Sequence, residues 1–273
     1  MRRRLIINCD DFGMYPAVNA GVLSALEDGI ASSCSLMPPC PAAPAAMALL
    51  RDRPHLPFGV HLTLFCDTPA YRWGPLTARA RVPSLLDDAG EFFAPDRVPE
   101  LLARARAEEV AVEFRAQLRA VLDAGLSPTH LDWHCLADGG REDLFELTLA
   151  LADEHGLGVR AWLRPARRRL RRLRRPVTDH DFLDSFRLDP ETKFRRYAEL
   201  LRALPEGTSE WAVHPGLADD EARRIDPGWR VRATDHDFLT SPEAAELLAA
   251  EGITLVDHRW TVAGGGDARP NVR

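Results

Sequence analysis

Short apolar runs alternate along the chain with longer stretches in which apolar residues recur every three or four positions. The short runs predict seven β-strands, at residues 5–8, 34–37, 58–62, 129–133, 158–162, 211–214 and 253–256. The periodic stretches predict helices between them, at residues 16–29, 98–124, 141–155, 190–204 and 242–251. Strands and helices that alternate in this way are typical of βα units around a parallel sheet.

This alternation predicts an α/β fold, and seven strands favour a distorted seven-stranded (β/α) barrel over an open doubly wound sheet. Neither a composition shift nor an internal repeat divides the chain, so we expect one domain over residues 1–273. Residues 66–99 form a long Pro-rich connection, which we interpret as a flap that closes over substrate.

The composition narrows the range of partners. The chain has 45% hydrophobic residues and a formal net charge of -6, which argues against general binding to nucleic acid or to an anionic membrane. The basic start, Met1 to Arg4, is followed by only three apolar residues, so we expect no secretory signal and a cytoplasmic location. The composition leaves a small-molecule or oligosaccharide substrate and a homodimer open.

Eight arginines crowd into residues 164–175. They could bind a phosphate, RNA or another subunit. The alternative, which we prefer, is a solvated helix in which Leu163, Leu170 and Leu173 pack inward and the guanidinium groups meet acidic neighbours.

The first candidate site lies where the strand at residues 5–8 runs into Asp10 and Asp11. Residues just beyond the carboxyl end of a barrel strand line the active-site face. Two adjacent carboxylates repel each other unless a cation relieves the repulsion, so one can bind a metal while the other acts as a base. The alternative is a helix N-cap with a second, incidental acid.

Histidines follow two further strands. His61 ends one strand, and His130, Asp132 and His134 share one face of another because strand side chains alternate. With Asp11, the histidines His61 and His130 make a set of two imidazoles and one carboxylate that suits a single divalent ion, Zn²⁺ among others, although non-haem iron uses the same ligands.

Three residues are assigned to supporting roles. Asp132 either orients a ligand histidine or contacts substrate hydroxyls, and His134 is grouped with it as a residue that binds substrate or supports a ligand. His214, at the end of the strand at residues 211–214, suits a general acid that protonates a leaving group.

Together these motifs resemble the YdjC-like carbohydrate deacetylase family. The matching segments are Asn-Cys-Asp-Asp-Phe-Gly at 8–13, Gly-Val-His-Leu-Thr-Leu at 59–64, Thr-His-Leu-Asp-Trp-His at 129–134 and His-Pro-Gly at 214–216. The resemblance implies a barrel of the glycoside hydrolase/deacetylase type. It implies Asp11, His61 and His130 as ligands of one Zn²⁺ or Mg²⁺ ion, Asp10 as general base and His214 as general acid.

The implied reaction is hydrolysis of the acetamide of an N-acetylated carbohydrate by metal-activated water. The sequence departs from the family at Leu136, where the third motif usually carries a further histidine. Two other functions stay open: a metal-dependent phosphoesterase or other amidohydrolase, and a carbohydrate-binding protein without catalysis.

Overall fold

The computed structural model describes residues 2–259, so the one-domain prediction for 1–273 extends beyond the described residues. All seven predicted strands are present, and an eighth, at residues 183–184, was missed because two residues give no apolar run. The strands are β1 (Arg3–Phe12), β2 (Ser33–Leu36), β3 (Phe58–Leu62), β4 (His130–Trp133), β5 (Gly158–Val159), β6 (Leu183–Asp184), β7 (Gly207–Val213) and β8 (Thr254–Leu255).

Every strand pair is parallel, and the order β5-β4-β3-β2-β1-β7-β6 places β1 near the middle. The short strand β8 pairs with the start of β1, outside this path of seven. Because the strands are parallel, their carboxyl ends meet at one rim, where β1, β3, β4 and β7 lead to the predicted site residues. The predicted α/β fold, a distorted barrel with seven strands in its wall, is confirmed.

The barrel is incomplete between β5 and β6, which do not pair within residues 2–259. Side chains cross this gap instead of backbone hydrogen bonds. Trp162, just after β5, stacks on Phe182, just before β6, with ring centroids 4.8 Å apart and planes 10° from parallel. The Arg160 guanidinium lies 5.1 Å from the Phe182 ring centroid. Aromatic and cation–π packing therefore closes the wall that the strands leave open.

Ten helices surround the sheet in the described part of the chain: α1 (Pro16–Glu27), α2 (Ala43–Arg51), α3 (Val98–Arg104), α4 (Ala107–Asp123), α5 (Glu142–His155), α6 (Arg164–Arg172), α7 (Lys193–Arg202), α8 (Asp220–Ile225), α9 (Trp229–Leu239) and α10 (Pro242–Ala250). The predicted helix 98–124 is two helices, because the backbone is extended at Arg106. There the Arg106 amide donates to the Ser84 hydroxyl at 3.0 Å and not to a helix carbonyl. No helix of the described residues is both long and apolar enough to cross a membrane.

The connection at 66–99 is packed against the rest of the protein. Phe65 and Phe93 form a parallel β-bridge, and Phe92 and Phe93 are completely buried. It also contains three short 3-10 turns, at Arg79–Arg81, Pro83–Leu85 and Pro95–Arg97. Closure of this connection over substrate stays a prediction.

The arginine-rich segment contains α6, which buries Leu170 but leaves Leu163 and Leu173 about half exposed. The prediction that all three leucines pack inward was wrong, because Leu163 precedes the helix and Leu173 follows it. Several guanidinium groups do meet acids as expected. These pairs are Arg164 and Arg167 with Asp181, Arg169 with Glu146, and Arg175 with Asp153.

Candidate active site

Strand β1 brings Asp10 and Asp11 to the rim through an irregular end. The pairing register of β1 with β2 shifts between Cys9 and Phe12, and Asp11 adopts a φ of 68°, a left-handed conformation that is uncommon outside glycine. Such a backbone costs about 1–3 kcal/mol. The irregular end allows both aspartates to line the same cavity, although neighbouring strand residues normally point to opposite faces.

Asp11 lies between two buried imidazoles. Its Oδ1 is 3.5 Å from His61 Nε2 and 3.1 Å from His134 Nδ1. One ligand atom from each residue lies within 4.8 Å of those of the other two. One carboxylate oxygen and two imidazole nitrogens that converge in this way fit a single divalent cation with positions left for water and substrate.

A second partner stands behind each of these three residues. The His61 Nδ1 contacts Asp132 Oδ1 at 2.9 Å, and the His134 Nε2 contacts Asp67. Arg232 donates to Asp11 Oδ2 at 2.8 Å, which leaves Oδ1 for the imidazole side. A carboxylate behind a histidine fixes its tautomer and its orientation, as in metal sites.

Charge balance at this centre also suits a cation. Burial disfavours the charged forms, but Asp132 and Asp11 outweigh it and raise the pKa of His61 to about 9. At His134, the Asp67 carboxylate outweighs burial and raises the pKa of the ring well above its usual range. At Asp11, Arg232 and the two imidazoles outweigh burial and lower the pKa of the carboxyl group well below its usual range. Protons thus balance the carboxylates at this centre, and a divalent ion could replace them.

The structure does not bring His130 to Asp11 and His61, the two residues with which it was predicted to bind a metal. Its Nδ1 contacts Thr129 Oγ1 at 2.9 Å, and its ring lies 3.9 Å from that of His258. His130 starts β4 whereas His134 follows the strand, and four residues at about 3.3 Å each separate them by roughly 13 Å along it. The alternation of strand side chains predicted which face these residues share, but not how far along the strand each one lies. His134 occupies the place beside Asp11 that we predicted for His130.

Asp10 lies beside this centre and is almost completely buried. Arg160 donates to its Oδ1 at 2.9 Å, and the Asn8 amide donates to the same oxygen at 2.7 Å. Burial raises the pKa of Asp10 to about 6, against the opposing charge of Arg160. Asp10 is therefore ionised at neutral pH yet close to the range in which it can accept a proton.

His214 faces Asp10 across the cavity floor, with its Nε2 3.9 Å from Asp10 Oδ2. Its Nδ1 contacts the Ser185 hydroxyl at 2.8 Å. Burial lowers the pKa of His214 well below its usual range, so the ring is neutral at pH 7.

A cavity of about 450 Å³ connects these groups to the surface. Asp10, Asp11, His61 and His214 line its floor, and Trp162, Phe182 and Phe186 give it an aromatic wall. Leu136, where the family usually has a histidine, is buried and does not line this cavity.

Sequence reasoning missed Asp67, Arg160, Ser185 and Arg232. Arg160 directly follows β5, so its place at a strand end was a usable signal. Arg232 lies within α9, and no local pattern connects it to Asp11, 221 residues away.

The fold and the site together define an incomplete (β/α) barrel whose rim holds a mixed aspartate and histidine centre beside the buried carboxylate of Asp10. The family model described as YdjC-like protein matches residues 4–250. The chain belongs to this YdjC-like family.

Relatives match almost the whole chain. A protein of Geobacillus stearothermophilus named carbohydrate deacetylase is 34% identical over 260 residues, which cover 95% of this chain and 98% of the relative. Another of that name, from Thermus thermophilus, is 36% identical over 261 residues, which cover 91% and 90%.

Solved structures share the fold. A crystal structure from Enterococcus faecalis V583, whose name suggests cellobiose-phosphate cleavage, superposes with a TM-score of 0.80 at 29% identity and covers 94% of this chain and 98% of its own. The Xyl-CE4 domain of a multidomain xylanase from a Trinervitermes trinervoides hindgut metagenome superposes with a TM-score of 0.52 at 9% identity and covers 100% and 95%, which shows the fold alone.

Proposed function

We propose that this protein is a metal-dependent hydrolase that removes an acetyl group from an N-acetylated carbohydrate. The observation that carries the proposal is the convergence of Asp11, His61 and His134, with ligand atoms within 4.8 Å, beside the buried Asp10. Relatives of similar length named carbohydrate deacetylase support the substrate class.

Asp11, His61 and His134 would hold one divalent cation. Two imidazole nitrogens suit Zn²⁺ better than Mg²⁺, which prefers oxygen ligands. When bound, such an ion polarises the acetamide carbonyl and acidifies water. The carboxylates of Asp67 and Asp132 keep both imidazoles turned towards the centre.

Asp10 acts as the general base. Arg160 and Asn8 fix its carboxylate at the cavity floor, where it accepts the proton of the attacking water. His214, on the opposite side, delivers a proton to the leaving nitrogen through Nε2. The products are acetate and a free amino sugar.

The aromatic wall gives the carbohydrate a place to bind. Phe186 is 42% exposed and packs edge-on against the His214 ring, with centroids 4.6 Å apart. An apolar face of a sugar ring can lie against this wall while its acetamide reaches the floor.

A phosphoesterase would use the same metal ligands on a different bond, and the arginine-rich segment could help it by holding phosphate. Arg164, which lines the cavity, and Arg167, three residues further along α6, are paired with Asp181. This pairing removes the reason to prefer phosphate at that position, and deacetylation is the better supported function.

The experiment is a substrate panel on protein loaded with Zn²⁺. N-acetylated mono- and oligosaccharides are assayed for acetate release, and sugar phosphates and other phosphoesters for phosphate release. We expect acetate from at least one N-acetyl sugar and none after chelation. Phosphate release without acetate release would reject the proposal, and protein that takes up no metal would favour carbohydrate binding without catalysis.

A further inference from the structure

A hydroxyl, and not a carboxylate, stands directly behind His214. The Ser185 Oγ lies 2.8 Å from His214 Nδ1 and donates to Asp235 Oδ2 at 2.6 Å. A serine hydroxyl has a single hydrogen, and an ionised carboxylate can only accept. Because that hydrogen goes to Asp235, the hydrogen between Ser185 and His214 belongs to the imidazole, on Nδ1.

The contacts of Asp235 require that it be ionised. Lys193 Nζ and the Tyr197 hydroxyl each donate to Oδ1 at 2.8 Å, while Ser185 and the His214 backbone amide donate to Oδ2. Four donors fill the acceptor positions of the two oxygens, so a proton on this carboxyl group would displace one of them.

Lys193 cancels the charge of this carboxylate. It is the only lysine in the chain, and its side chain is completely buried where α7 packs against α9. A buried ammonium group is costly unless it is paired, and Asp235 is its ion-pair partner. The charge that stands behind Ser185 is therefore close to zero.

We propose that Ser185, Asp235 and Lys193 form a charge-neutral positioning relay, which holds His214 as a neutral imidazole with its proton on Nδ1 and its Nε2 lone pair directed into the cavity. The relay rests on the proposed function only for its part in acetyl removal. The tautomer itself follows from the hydrogen bonds.

This state of His214 fixes the route of the proton. His214 starts without a proton on Nε2, so it must first receive one before it can act as an acid. Attack by water transfers a proton to Asp10, and this proton passes to His214 Nε2, 3.9 Å from the Asp10 carboxylate in the structure. When the C–N bond breaks, its electron pair stays on nitrogen, which takes the proton from Nε2. One water is consumed, and acetic acid and an amine are formed, which exchange the remaining proton to give acetate and an ammonium group.

Other charges around the ring do not replace the relay. The charged groups around His214 outside the relay include Asp10, Asp11, Asp184, His61 and Arg232. None of these lies within hydrogen-bond distance of Nδ1, which contacts Ser185. The hydroxyl is thus the group that selects the tautomer.

The test is ¹⁵N NMR of the full-length protein labelled at histidine, with the His214 signals assigned by their loss in His214→Gln. At neutral pH we expect a protonated Nδ1 and an unprotonated Nε2. A wild-type ring with its proton on Nε2, or with protons on both nitrogens, would overturn the relay.

Variants separate position from charge. Ser185→Ala should lose the single tautomer and lower kcat roughly 10- to 100-fold with KM unchanged, as for other residues that orient a functional group. Ser185→Thr, which keeps the hydroxyl, should restore both. A Ser185→Ala protein that keeps the tautomer and the wild-type kcat would contradict the proposal.

Lys193→Met should leave Asp235 uncompensated and place a second proton on His214 at neutral pH. Arg195→Met is the matched control, because it removes a cation from an exposed position of the same helix. A neutral His214 in Lys193→Met would exclude the charge-cancelling part. Because NMR reads the tautomer without substrate, the relay can be confirmed even if no N-acetyl sugar releases acetate, and that result alone would reject the proposed function.

Discussion

On one side of the site, the His61 ring contacts the Asp132 carboxylate directly, and the His134 ring contacts that of Asp67. On the other side, a serine separates His214 from Asp235, whose charge Lys193 neutralises. The pKa of His61 and that of His134 are raised, whereas the pKa of His214 is lowered, although all three rings are buried. A carboxylate in direct contact with a buried imidazole thus raises its pKa, whereas burial lowers the pKa of His214, which has a hydroxyl at Nδ1.

The largest effect should come from removal of an imidazole that faces Asp11. His134→Gln should lose the bound metal and lower kcat on the order of 10³-fold, because carbonyl polarisation and acidified water are lost together. His130→Gln, at the start of β4, is the control and should keep the metal. Metal analysis together with acetate release measures both, and loss of metal from His130→Gln alone would reverse the assignment.

Asp10→Asn should separate the base from the metal centre. We expect kcat to fall by roughly 10²-fold or more, because the amide cannot accept a proton from water. The metal content should stay at the wild-type level, since Asp10 is not among the three proposed ligands. Unchanged turnover would rule out Asp10 as the base.

The carboxylates behind the imidazoles should matter less. Asp67→Asn should weaken metal binding by about 10- to 100-fold through loss of orientation at His134. Competition with a chelating dye measures the affinity. Ser185→Ala, on the other side of the floor, should bind metal as the wild type does, and a matching loss of affinity there would show that the two sides are not independent.

The pH dependence should be the mildest effect. Because burial raises the pKa of Asp10 to about 6, the base is protonated and inactive below that pH. A cation at the neighbouring centre would lower this value, so kcat/KM should rise with pH through a midpoint at or below about 6. A wild-type profile that instead falls as pH rises from 5 to 7 would contradict this role.

Much of the fold could be predicted from local pattern. All seven predicted strands are present because each is a compact apolar run, whereas β6 and α9 are short or polar and gave no signal. Asp10, Asp11, His61 and His214 line one cavity, and the sequence could indicate them because each follows or ends a predicted apolar strand and parallel strands bring their carboxyl ends to one rim.

The sequence by itself determined the sheet, the rim and the types of side chain that reach it, since strand periodicity and strand ends are local properties. Only the tertiary structure decided that His134 and not His130 faces Asp11, because depth along β4 depends on the register of packed strands. It also decided which residue stands behind each imidazole. Asp67, Asp235 and Arg232 come from a loop and a helix far away in the chain, and only folding brings their charges to the site.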